Sequence, residues 1–253
     1  MLRTVQATRY VTPLREGGSL PAIVEADDLG LYVLKFRGAG QGPLTLAAEL
    51  IAGEIGRAVG MRVPEIVLVE VDAALGRNEP DEEIRDLLRA SIGLNLGLDY
   101  LPGSTMFDPA ARDTAPADVA STAVWFDAFV TNIDRTARNP NLLWWHKTLY
   151  FIDHGASLYF HHDWRNIEQM ARNRFAAIRQ HVLLPWANRI AEAGRECRSR
   201  LTAETLDRIL RAAPLEWLQQ TREEYLDYFE RRLAAEPEFV EEALRARAAQ
   251  QSV

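Results

Sequence analysis

The apolar residues of this chain change period once, from about two to about 3.6, and that change restricts the folds open to it. In the first hundred positions, apolar and β-branched residues recur as in strands: near 3–10, in SLPAIVEAD (19–27), GLYVLKF (30–36) and EIVLVEVD (65–72), and more weakly in 94–101. The acidic turn DDLG joins the second and third runs in the manner of a hairpin. One strong helix interrupts them. Pro43 and Thr45 mark its start, Leu46, Leu50, Ile55, Ala58 and Val59 its stripe, and Gly60 its stop. A short polar helix is predicted at 78–91, and a loop after residue 101. From about residue 117 the spacing becomes helical, and after Leu158 almost wholly so. The exception is LLWWHKTLYFIDHG (142–155), which predicts two short strands joined around Lys147 and Thr148. Strands gathered ahead of helices predict an α+β chain. Its parts are a β-rich N-terminal lobe with one main helix (1–101) and a larger helical C-terminal lobe (102–253), with ligand binding expected between them.

Composition narrows the function classes. With 47% hydrophobic and 26% charged residues, the chain reads as globular and not as disordered or fibrous. No run reaches the ~18 apolar residues of a membrane span, and the N-terminus lacks the layout of a secretory signal. The one cysteine, Cys197, forms no internal disulfide, which favours a reducing cytoplasm. A net charge of −7 argues against direct nucleic-acid binding. Of the 29 basic residues only Lys35 and Lys147 are lysines. In so arginine-rich a chain, a retained lysine hints at a need for a compact ammonium.

Three segments carry chemistry. Residues 132–155, NIDRTARNPNLLWWHKTLYFIDHG, hold Asp134, then Asn139 five positions later, then Asp153 in an Asp-x-Gly at the end of an apolar run. Phosphoryl transfer needs one carboxylate to orient a hydroxyl, and an amide oxygen with a second carboxylate to hold magnesium. These residues stand in that order. Lys35 ends its strand run on the face opposite Tyr32, Leu34 and Phe36, and a helix glutamate is its expected partner. Glu49 and Glu54 both qualify, but five residues separate them by about 140° around a helix, so only one faces the sheet. Third, Gly17, Gly18 and Ser19 lie one strand before Lys35, where their amides suit a phosphate and their composition equally suits a plain hairpin turn. The pair His161–His162 is poorly spaced for one metal, and no zinc-type cysteine spacing, Walker lysine or serine-hydrolase elbow occurs.

Over GGSLPAIVEADDLGLYVLKF, AAELIAGEIGRAVGMRVPEIVLVE and DAFVTNIDRTARNPNLLWWHKTLYFIDHG the chain resembles the HipA-like kinases. These are bacterial relatives of the protein kinases and phosphatidylinositol kinases. The resemblance implies a bilobal protein-kinase-like fold, ATP as substrate and Mg2+ as cofactor. It implies Lys35 as the phosphate-binding lysine, Glu49 as its partner, Gly17, Gly18 and Ser19 as the phosphate loop, and Asp134 as the catalytic aspartate. Asn139 and Asp153 become the magnesium ligands, and Tyr100 and Leu101 the adenine hinge. The acceptor implied is an alcohol group, protein serine or threonine among the candidates, since some members are toxin kinases. Two features depart from the pattern: Thr136 stands where many relatives have histidine, and the chain is short for the extra N-terminal domain of the toxin kinases. Two rival functions remain open at this level. One is a nucleotide-binding pseudokinase or scaffold without turnover, and the other is a metal-dependent hydrolase built on Asp153, His154 and the His161–His162 pair.

Overall fold

The computed structural model describes residues 2–14, 20–40, 42–77 and 79–251. Strands β1 (Thr4–Pro13), β2 (Ala22–Ala26) and β3 (Leu31–Lys35) lead into helix α1 (Pro43–Ala58). Then come β4 (Ile66–Val71), helix α2 (Glu82–Ala90) and β5 (Gly93–Asp99). Antiparallel pairing joins β1 to β2, β2 to β3, β3 to β5 and β5 to β4, and a parallel pairing of β1 with β4 closes a barrel. The alternation of β3 works as the sequence predicts. Tyr32, Leu34 and Phe36 fill the barrel with Val5, Val24, Val67 and Val69, while Lys35 points out of it. Gly97 allows this tight filling, since a Cβ there would lie 2.7 Å from Val69. Helix α2, N-capped by Asp81, adds Ile84 and Leu88 to the same core.

The rest of the chain is mostly helical. A two-residue strand β6 (Thr105–Met106) falls in the segment predicted as loop, ahead of helix α3 (Ala117–Val130). Strands β7 (Leu142–Trp145) and β8 (Thr148–Phe151) follow, and β7 also pairs with β6. The turn between β7 and β8 is His146–Lys147, one residue earlier than predicted, and both residues have positive φ. Between residues 159 and 186 the backbone forms short 3-10 turns and the one-and-a-half-turn helix α4 (Ile167–Ala171), not the almost wholly helical structure that the spacing after Leu158 predicts. Helices α5 (Ile190–Arg200), α6 (Ala203–Ala212), α7 (Arg222–Ala234) and α8 (Glu236–Gln251) complete the chain. A second, larger core joins them. It includes Leu46, Leu50, Ile51 and Ile55 of α1, Leu96 and Leu98 on the outer face of β5, Trp125, Phe126 and Phe129 of α3, and Phe229 and Phe239. Helix α1 therefore packs its apolar residues into the core of the C-terminal helices while presenting Glu49 to β3. No helix among the described residues is long and apolar enough to cross a membrane.

Candidate active site

Lys35 stands at the end of β3, on the face against α1. Its Nζ donates to Glu49 Oε2, and to Asp153 Oδ1 at 2.6 Å. Glu49 is wholly buried, Lys35 nearly so, and the Asp153 side chain is 49% exposed. Burial is the largest influence on Lys35 and pulls its pKa down, but the charges of Glu49 and Asp153 overcome it and the ammonium is held above its ordinary value. Burial likewise opposes ionisation of Glu49. The Lys35 charge and hydrogen bonds from His154 prevail and hold its carboxyl well below the usual range. Glu54, the rival partner, bonds instead to Arg57 at 3.3 Å, as the helical geometry requires of one of the two. Asp153 itself has a φ of 55°, a left-handed conformation that asparagine and aspartate tolerate better than most residues.

A second cluster lies on the loop after α3. Asp134 Oδ2 accepts from Asn139 Nδ2 at 2.7 Å and from Asn141 Nδ2 at 3.3 Å, and Asp134 N donates to Asn132 Oδ1. The loop is closed by Thr136 N, which donates to Asn139 O, and by Asn139 N, which donates to Thr136 Oγ1. Main-chain contacts tie this cluster to the first. Ile152 N donates to Asn141 O at 3.1 Å, and Ile152 immediately precedes Asp153.

What fixes the loop is a set of residues the sequence did not flag. Asp127, buried in α3, accepts from Asn132 Nδ2 (2.9 Å), Arg135 Nε (2.7 Å) and His181 Nε2 (2.8 Å). Arg135, itself buried, also donates to the carbonyls of Asn141 (2.6 Å) and Ile152 (3.3 Å), and its guanidinium lies over the Phe151 ring. His181 Nδ1 accepts from Leu183 N, so the proton of a neutral ring sits on Nε2 and points at Asp127. Burial raises the Asp127 pKa, but Arg135 and His181 hold it well below the carboxylate range. One carboxylate thus ties α3, the Asp134 loop and the 181–183 segment together. The signal in the sequence was a lone aspartate inside the apolar run VASTAVWFDAFV.

The other predicted positions are placed as follows. Tyr100 and Leu101 sit where β5 ends: Tyr100 N donates to Leu31 O, and Trp145 Nε1 donates to the neighbouring Pro102 O. No hydrogen bond among the described residues links either to Lys35, Glu49 or Asp153. Gly17, Gly18 and Ser19 lie outside the described residues. The histidines of the hydrolase reading are divided: His154 faces Glu49, while His161 faces the Tyr225 hydroxyl at 3.4 Å. Among the described residues no group of three or more His, Cys, Asp or Glu is arranged to hold a metal.

Comparison with known proteins bears on this arrangement. No curated protein sequence matches the chain. Its backbone is similar to that of CtkA, a proinflammatory kinase of Helicobacter pylori, with a TM-score of 0.57 over 99% of each chain and 12% identity. It is also similar to the Golgi casein kinase solved with Mn and ADP bound, at a TM-score of 0.48 and 10% identity over 95% of this chain and 73% of the other. Identities this low speak to fold alone, and CtkA makes it a kinase fold. In sequence, residues 8–250 match the model of the HipA-like kinase family, nearly the whole chain, and the protein belongs to that family.

Proposed function

We propose that this HipA-like kinase transfers the γ-phosphoryl group of ATP, with Mg2+, to a hydroxyl acceptor, protein serine or threonine among the candidates. The observation that carries the reading is the bridge made by Lys35, whose ammonium bonds at once to Glu49 of α1 and to Asp153 of the segment after β8. We assign residues 1–101 to a nucleotide lobe and 102–253 to a catalytic lobe, with this bridge between them.

In this reading Lys35 exchanges its bond to Asp153 for the α and β phosphates, and Glu49 keeps the ammonium in place as it does so. Asp134 Oδ2 is occupied by two amide donors, so Oδ1 is the atom that accepts the proton of the acceptor hydroxyl and aligns it. The donors suit magnesium. Asp153 is a half-exposed carboxylate, and Asn139, whose Nδ2 is spent on Asp134, has its amide oxygen left over; both are hard oxygen ligands. When bound, the ion neutralises charge on the transferring phosphoryl group. Catalysis by these residues is mainly positioning and electrostatic stabilisation.

The test is incubation of the protein with labelled ATP and magnesium, following phosphate to the protein, a lysate or water. Asp153→Ala should fold as the parent does and lose transfer. Transfer by that variant at the parent's rate would refute the assignment. ATP binding without any transfer by the parent would make the protein a pseudokinase.

A further inference from the structure

The middle residue of the Asp153–His154–Gly155 turn is a histidine buried completely, yet polar. Its ring packs edge-on against Phe126 of α3, with centroids 5.7 Å apart. Packing alone would be served by an apolar side chain, and the histidine leaves its Nε2 buried with no hydrogen-bond partner. Something must offset that orphan nitrogen. The other ring nitrogen, Nδ1, lies 3.4 Å from Glu49 Oε1. A carboxylate has only acceptors to offer, so Nδ1 carries the hydrogen and donates it. The main-chain amide of His154 also serves Glu49. Both oxygens of Glu49 are therefore held, Oε2 by Lys35 and Oε1 by His154. The neighbouring residues press on the same helix. Asp153 reaches α1 through Lys35, and a Cβ on Gly155 would lie 2.7 Å from Thr45 Cγ2.

We infer that His154 is a positioning residue: by donating from Nδ1 to Glu49 it locks α1 to the Asp153 turn and so fixes the Lys35 ammonium where phosphates must meet it. The inference rests on the kinase reading for its consequence in catalysis, but the lock itself is a property of the free protein. It requires a donor at the Nδ1 position and nothing of the rest of the ring. Asparagine places its Nδ2 close to that point, whereas leucine has a similar size without the donor, and phenylalanine keeps a ring against Phe126.

The experiment compares His154→Asn with His154→Leu and His154→Phe in the full chain. Because the chain has only two lysines, 13C-lysine labelling yields two ε-methylene signals, one from Lys35 and one from the exposed Lys147. In His154→Leu and His154→Phe the Lys35 signal should move towards that of a free lysine, while His154→Asn should keep it near the parent position. The Lys147 signal should stay still throughout. With labelled ATP and magnesium, the apolar variants should lose about 10- to 100-fold in kcat, as misplaced catalytic groups do, and His154→Asn should stay within about threefold of the parent. Melting curves identify which variants fold, and two apolar replacements guard against loss of one. A folded apolar variant with the parent's Lys35 signal overturns the inference. So does an asparagine variant that behaves like leucine. If the parent itself transfers no phosphate, the kinase reading falls and the lysine spectra alone decide whether His154 is the lock.

Discussion

A carboxylate as buried as Glu49 stays ionised only where a cation is brought to it, and Lys35 is that cation. Lys35→Met should therefore cost folding stability, by about 3–5 kcal/mol, because it leaves a buried charge uncompensated. The deficit should shrink as pH falls towards 5. Without the ammonium, burial dominates Glu49 and raises its pKa, so protonation relieves the penalty. Adding Glu49→Gln to Lys35→Met should restore part of the stability and none of the kinase activity. Denaturant titration at pH 7 and pH 5 checks both statements, and an equal deficit at the two pH values would show that Glu49 does not depend on Lys35. Lys35→Arg keeps the charge but should lose phosphoryl transfer, since a planar guanidinium does not replace a compact ammonium between two carboxylates. Rarity of lysine was a partial guide. It pointed to Lys35 and equally to Lys147, which occupies an exposed hairpin turn outside the ion cluster.

At the scale of elements, the loop carrying Asp134 hangs from one residue of α3. Asp127→Asn keeps the shape but removes the charge that faces Arg135, leaving a buried guanidinium with carbonyl acceptors only. A loss of about 3–5 kcal/mol is expected, read as a lower denaturant midpoint, together with reduced phosphoryl transfer. A loss under about 1 kcal/mol would mean that the loop is anchored elsewhere. The contact between Asn139 and Asp134 was within reach of the sequence because the two stand five positions apart on one short loop. The anchor was not, because Asp127 and His181 meet across 54 positions. The strands and α1 were legible from their period. The β7–β8 turn slipped by one residue because His146 and Lys147 adopt positive φ without the glycine or asparagine that would have marked it.

For the whole molecule, the change of period foretold the order of strands and helices but not how they close. The parallel pairing of β1 with β4 joins positions more than sixty residues apart, Thr4 to Leu68, and has no local signature. Nor does sequence period reveal that α1 belongs by packing to the core of the C-terminal helices, or that the 159–186 stretch folds into short turns around buried side chains. His161 is one of these. Burial first, and then its neighbour His162, push its pKa down to about 3 from an ordinary 6.5. The unfolded chain accepts a proton near pH 6.5 that the folded chain refuses until about pH 3. The unfolded state thus binds more protons between those limits, and stability falls as pH falls. Glu49 and Asp127 act in the same direction, but their contributions are complete above their ordinary values of 4.5 and 3.8 and decline only below them. The window from pH 6.5 to 4.5 therefore separates His161 from both, and the loss expected across it is about 2–3 kcal/mol. Denaturant midpoints of the parent and His161→Leu at pH 7 and 4.5 give the measurement. The leucine variant deprives the Tyr225 hydroxyl of its His161 contact and should be weaker at both pH values, but its stability should change less between them. An undiminished fall in His161→Leu would move the acid sensitivity of the fold to another group.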